Sequence, residues 1–469
     1  MVFSSLIFLY VFLPVCIALY YVWQNRVWQN WVLIVASLIF YAWGEPVWVV
    51  LLVLSSLVDY LNGLWIARFR GKAAAKLSVV CTLIFNLGIL AIFKYQAFFI
   101  HNLNLVSGLS IPVPEHHLPI GISFYTFQTI SYVIDVYRDE VPAQKDFSKF
   151  LLFVSLFHQL VAGPIVRYKD IAYEIENRIF SWNDFSYGVS RFAVGLAKKV
   201  VLANPAGEIA GSFLDGSPER MSVLGSWWGI LLFTFQIYFD FSGYSDMAIG
   251  LGKMFGFTYK ENFNYPYLAR SATDFWRRWH ISLSSFFRDY VYIPLGGNRT
   301  RPLVSLTVVW FLTGLWHGAS WNFVVWGLFY GALILFERAV QSVTGREIPR
   351  IIGHPYAILA TLVGWTLFYF TDLGHAFAHL GRMFGVSGAS LTDPAVLISI
   401  RANAFFVGLL ILACFPVWPF LAKLLRGDPS ESGHARLGVL LPVLNLFLVV
   451  FSTVLLVGRT YNPFLYFRF

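Results

Sequence analysis

Long apolar runs follow one another along the whole chain, separated by short polar connections. Their continuity predicts helices near residues 5–23, 31–43, 46–66, 77–93, 119–137, 149–166, 186–203, 224–250, 303–316, 320–340, 356–373, 404–425 and 437–457. A membrane-spanning helix needs about 20 mainly apolar residues. The runs at 31–43 and 303–316 are shorter than that, which predicts paired short or re-entrant pieces. A membrane β-barrel would alternate apolar and polar positions, and these runs do not. The expected fold is therefore all-α, a polytopic transmembrane helical bundle of about 11 spans plus re-entrant and interfacial helices. The opening residues Met1-Val2-Phe3-Ser4-Ser5 carry no basic charge, and no small-residue cleavage site follows the first apolar run. That run reads as a membrane helix rather than a cleaved leader. No internal repeat or polar insertion stands out, and residues 1–469 read as one domain.

Composition sharpens this picture. The chain is 58% hydrophobic and 13% charged, against about a quarter charged in ordinary soluble proteins. The net charge of +9 would raise nucleic acid as a partner in a soluble protein. Here the cations crowd short loops, as cytoplasmic loops of membrane proteins do, and no nucleic acid is expected. Arg68, Arg70, Lys72 and Lys76 mark one such loop, which leaves Gly44-Glu45-Pro46 and the N-terminus outside. Lys198 and Lys199 mark a second internal patch, and Arg277, Arg278, Arg288, Arg299 and Arg301 the largest. That last patch is too polar to span and is expected to be amphipathic, on or dipping into the cytoplasmic face. Cys16, Cys81 and Cys414 lie in separate runs, with no spacing for a disulfide framework or a metal site.

Candidate chemistry concentrates between Asp274 and Trp321. His317 sits in Gly314-Leu315-Trp316-His317-Gly318, inside an apolar run. Ionisable groups in membrane segments usually face a cavity or a partner, and histidine serves as a general base near neutral pH. A structural histidine bonded to a neighbouring carbonyl is the competing reading. His280 follows Arg277, Arg278 and Trp279, where an interfacial histidine in a basic helix is the plainer reading. Together the two suggest a polar pocket closed by Trp276, Trp279, Trp316 and Trp321; their spacing fits no metal motif. Gly296-Gly297 could let backbone approach a ligand, with Asn298 and Arg299 as donors, or form a plain turn. Asp240 and Asp246 in an apolar run read as helix-fixing ion pairs or caps before proton carriers. His158 stands near a helix break expected at Gly163-Pro164 and could cap a helix end.

Taken together, Phe275-Trp276-Arg277-Arg278-Trp279-His280-Ile281-Ser282-Leu283-Ser284, Gly296-Gly297-Asn298-Arg299 and Gly314-Leu315-Trp316-His317-Gly318-Ala319 resemble the membrane-bound O-acyltransferase superfamily. The runs Tyr238-Phe239-Asp240-Phe241-Ser242-Gly243-Tyr244 and Leu160-Val161-Ala162-Gly163-Pro164-Ile165 are similar to its AlgI-like bacterial branch, which acetylates exported polysaccharides. The resemblance extends from Met1 to about Glu337, with the motifs concentrated in 119–337. Where many relatives have Phe-Pro, this chain has Phe157-His158.

The resemblance implies a bundle with a thin centre in the bacterial inner membrane. It implies His317 as the catalytic histidine and His280 as a second one near the cytoplasmic mouth. An acetyl thioester, most simply acetyl-CoA, would be the donor, with no permanently bound cofactor. Asn298 or His280 would stabilise the oxyanion or orient the thioester. Arg277, Arg278 and Arg299 would meet the coenzyme phosphates, and Trp316 and Trp279 would line the substrate path. Acetyl would pass to a periplasmic acetyltransferase partner within a polysaccharide synthesis and secretion complex. No serine or cysteine stands out as a covalent carrier, so direct transfer is expected. The rival classes are a polysaccharide or lipid transporter and a non-catalytic scaffold of a secretion complex.

Overall fold

A computed structural model describes residues 1–114, 117–161, 163–216, 221–386, 388–417, 431–458, 461–462 and 465. Its described residues form helices and no strand. Five helices are long and apolar enough to cross a bilayer: Val49–Arg68, Ala73–Ser107, Trp321–Thr344, Arg350–Tyr369 and Pro394–Ala413. Phe8–Val22, Pro302–His317 and Leu440–Leu456 are apolar but shorter. The chain divides into two compact units, Met1–Phe192 with Tyr244–Lys260, and Ala193–Gly243 with Glu261–Phe469.

In the first unit, Val49–Arg68, Ala73–Leu90 and Ile122–Tyr137 pack on one another around polar side chains. Asp59 accepts from Thr82 Oγ1 at 2.9 Å and from Asn86 Nδ2 at 2.8 Å, and Asn62 donates to Thr82 at 2.9 Å. Paired in this way, an intramembrane carboxylate can stay buried. Gly63 lets Tyr132 approach, since a methyl there would lie 2.6 Å from the phenolic oxygen. The helix expected over 149–166 instead breaks at Leu156 (φ −43°, ψ 112°), between Phe147–Ser155 and Phe157–Leu160. This break precedes Phe157-His158 and is additional to the expected one, since helix ends at Leu160, just ahead of Gly163-Pro164. Among the described residues His158 caps no helix end; its Nδ1 is hydrogen-bonded to the Tyr259 hydroxyl.

In the second unit, the basic stretch is a chain of short pieces: Pro266–Leu268, Ala272–Arg278, Ile281–Phe287, Arg288–Tyr292 and Gly297–Thr300. Phe275, Trp276, Trp279, Leu283, Phe286 and Phe287 are buried. The stretch is thus built into the unit by its aromatic side chains. The run expected at 404–425 is helical earlier, over Pro394–Ala413; its residues beyond 417 lie outside the described ones. Leu373–Met383 and Tyr168–Asn177 are helices that apolar length alone did not predict, because both are amphipathic.

Candidate active site

His317 is the last residue of Pro302–His317, and the backbone turns extended at Gly318 (φ −172°, ψ 155°). Glycines bring Trp321–Thr344 against it. A methyl on Gly314 would sit 2.3 Å from the Phe323 carbonyl oxygen, and one on Gly327 2.3 Å from that of Trp310. A methyl on Gly318 would lie 2.2 Å from the Phe323 ring. Side chains at these positions would force the helices apart. The close crossing brings Trp326 edge-on to His317, ring centroids 4.9 Å apart, with Phe368 at 5.3 Å.

His280 occupies the break between Ala272–Arg278 and Ile281–Phe287. Its backbone is left-handed (φ 45°, ψ 54°), a conformation that costs a side-chain-bearing residue energy and is retained only when its surroundings impose it. The side chain is fully buried, edge-on to Phe241 at 4.7 Å and 6.0 Å from Trp316. Trp316 also lies 4.9 Å from His317, so the same indole packs against both histidines. Burial pushes the His280 imidazole down to about 3, so the ring is neutral at pH 7.

The helix leading to His280 is anchored at its start. Ser271 Oγ accepts from Asp274 N at 2.9 Å. The Glu337 carboxylate accepts from Ala272 N at 2.5 Å, Thr273 N at 3.0 Å and Thr273 Oγ1 at 2.6 Å. It also accepts from the Tyr356 hydroxyl at 3.1 Å. A carboxylate so placed satisfies helix N–H groups that have no partner within the helix.

The structure brings His317, His280, Trp316, Trp276 and Trp279 into one aromatic cluster. Trp276 reaches Trp326 at 5.5 Å, and Trp279 reaches Trp365 at 4.9 Å. Trp321 does not close it, being 51% exposed at the start of its helix. Arg277 and Arg299 are exposed. Arg278 is half-buried and paired with Asp274 at 2.8 Å. Asn298 is exposed on the glycine turn, where its Oδ1 accepts from the Tyr292 hydroxyl at 2.6 Å and Arg338 Nη1 at 3.1 Å.

The two aspartates form ion pairs. Asp240 meets Lys199 at 2.7 Å, both nearly fully buried, and Asp246 meets Arg191 at 2.7 Å. Lys199 is therefore no part of an exposed cytoplasmic patch; a carboxylate one helix away makes its burial tolerable. Sequence reasoning did not single out Trp326, Trp365 or Phe368, since aromatics in apolar runs read equally as lipid-facing. It read Asn262 only as part of an aromatic turn leading into the basic stretch and gave it no chemical role.

Comparison with known proteins agrees with these motifs. Residues 127–349 match the model of the MBOAT, membrane-bound O-acyltransferase family. The chain is 37% identical to the probable alginate O-acetylase AlgI of Azotobacter vinelandii, with all of both chains covered. It is 36% identical to the protein of the same name from Pseudomonas aeruginosa, again over all of both. It is 35% identical to the peptidoglycan O-acetyltransferase of Helicobacter pylori, over 83% of this chain and 81% of that one. Similarity thus continues past Glu337, where the motifs had faded, to the part that supplies Trp365 and Phe368.

Proposed function

This chain belongs to the membrane-bound O-acyltransferase family, and from that membership we propose that it moves acetyl from a cytoplasmic thioester, acetyl-CoA, across the bacterial inner membrane. The acetyl would serve O-acetylation of an exported polysaccharide such as alginate or cellulose, relayed by a periplasmic acetyltransferase partner. Family membership makes the chain a multi-pass membrane O-acyltransferase and sets the transporter and scaffold readings aside. Donor, partner, membrane and polymer belong to the proposal, as does the reading of residues 1–469 as one acyltransferase domain.

The observation that supports the proposal is the pair of buried histidines that both pack against Trp316. His317 would take the proton of the acceptor hydroxyl as its oxygen attacks the thioester carbonyl carbon. The carbon–sulfur bond then breaks, and the departing thiolate recovers the proton from the imidazolium. General-base assistance of this kind contributes roughly 10²–10⁴-fold. The thioester is already activated, so direct transfer needs no covalent intermediate on the chain. Trp316, Trp279 and Trp276 exclude water from this chemistry, which strengthens each electrostatic contact. Arg277, Arg278 and Arg299 would attract the coenzyme phosphates from their exposed or half-buried positions.

The test is ester-linked acetate on secreted polysaccharide from cells carrying the chain or His317→Ala, at matched membrane levels. Acetate is expected to fall at least about 100-fold with the polymer still exported. Unchanged acetate would remove His317 from the chemistry, and loss of the polymer itself would point to transport.

A further inference from the structure

Asn262 makes bonds on three consecutive residues around His280. Its carbonyl oxygen accepts from Ile281 N at 3.0 Å. Its Oδ1 accepts from Ser282 N at 3.1 Å and Ser282 Oγ at 2.8 Å, and lies 3.2 Å from His280 Nδ1. His280 precedes the helix Ile281–Phe287 and makes no side-chain cap for it. Asn262 supplies that cap from a remote segment, and in doing so holds the left-handed residue in place. It is itself completely buried.

The tautomer of His280 follows from this network. The backbone N–H of Ser282 can only donate, so the amide atom facing it must be oxygen. An amide oxygen has no proton to give, so His280 Nδ1 must carry one and donate it. Ser282 Oγ, 3.4 Å from Nδ1, spends its own proton on Asn262 and can likewise only accept there. Nε2 is then left with its lone pair. It is buried and has no hydrogen-bond partner among the described residues. Buried polar atoms are rarely left in that state.

We propose that Asn262 is the positioning residue of the site: it fixes His280 in the Nδ1–H tautomer and makes Nε2 a hydrogen-bond acceptor for an O–H or N–H of the substrate. This rests on the reading of His280 as a site histidine, and it narrows that reading. A neutral ring in this tautomer cannot donate to an oxyanion, so His280 orients a donor group of the substrate and leaves oxyanion stabilisation to other groups. Among the described residues, the groups packed on the ring are Asn262, Ser282, Phe241 and Trp316, none of them charged.

Two measurements test the assignment. In the purified full chain with ¹⁵N-labelled histidine, the His280 signals are identified by their loss in His280→Gln. A protonated Nδ1 and bare Nε2 are expected, with that pattern lost in Asn262→Leu; an Nε2–H tautomer in the unaltered protein would overturn the proposal whatever the enzyme's activity. The second is the rate of coenzyme thiol release from acetyl-CoA in membrane vesicles. Asn262→Asp keeps the acceptor and adds a negative charge, which favours the imidazolium. In the labelled protein the His280 ring should then titrate about 1–3 pH units higher, and Asn262→Leu should lower kcat more than tenfold at matched protein. A purely structural asparagine would reduce folded protein in both variants and leave the His280 titration and the kcat of the remainder unchanged, which would refute the idea. Absence of thiol release from the unaltered protein would instead count against acetyl-CoA as donor, leaving the tautomer result to decide on Asn262.

Discussion

At the scale of single residues, the polar groups that decide this structure are paired across long sequence separations. Lys199 and Asp240 are 4% and 2% exposed and 2.7 Å apart, and Asp240 also accepts from Leu465 N at 2.9 Å. Removing one member of a buried pair strands the other, at a cost of roughly 3–5 kcal/mol. Lys199→Met should therefore unfold in detergent well below the unaltered protein. Adding Asp240→Leu should recover most of that loss, short by about 1–3 kcal/mol for the stranded Leu465 amide. Equal stability of the single variant, measured by thermal unfolding, would show that the pair contributes nothing. The same separation explains why the sequence misled here. Two adjacent lysines look like a loop signal, and nothing local points to a carboxylate on a later helix. His317 stood out because it is a polar residue where apolar ones are expected, whereas His280, in a basic stretch, stood out only through the family motif. Asn262 was less visible, because its meaning depends on the left-handed turn at His280.

At the scale of elements, the placement of His317 comes from a helix crossing that glycine alone permits. A Cβ on Gly327 would meet the Trp310 carbonyl oxygen at 2.3 Å and the Gly314 backbone at 3.0 Å. Backbone cannot give way as a flexible side chain can. Gly327→Ala is expected to separate the two helices, to destabilise by about 1–3 kcal/mol, and to move Trp326 off His317. Polysaccharide acetate should fall at matched membrane levels. Acetate and melting temperature both unchanged would mean that the crossing has slack. Much of this was legible: Pro302–His317 and Trp321–Thr344 fall within a few residues of the expected 303–316 and 320–340. Apolar continuity locates such helices well. It is blind to amphipathic ones such as Leu373–Met383, and to a break like Leu156 that no proline or glycine announces at that position.

At the scale of the whole molecule, apolar surface follows the candidate spans. On Pro394–Ala413, Phe405 is 89% exposed and Ile398 68%. Surface of this kind on a membrane protein faces lipid, and a charge near the middle of such a helix costs about 2.5–3.5 kcal/mol. Phe405→Arg should lower the fraction of chain recovered in membranes; full recovery with unchanged stability would show that this face meets something other than hydrocarbon. The helical class and the membrane character were plain from composition. The division into two compact units was not, because the 32-residue helix Val223–Met254 runs through the boundary at Gly243 without a break. The bonds of Glu337 bear on how the protein is made. Ribosomes deliver the segment 272–278 first, and the carboxylate that fastens its start comes later, followed by Tyr356 and then Trp365 and Phe368. A nascent chain halted before Glu337 has both histidines but lacks the anchor for the helix leading to His280. Assembly of the candidate site is therefore expected to be a late event of biogenesis, completed only after the last of these helices has been made.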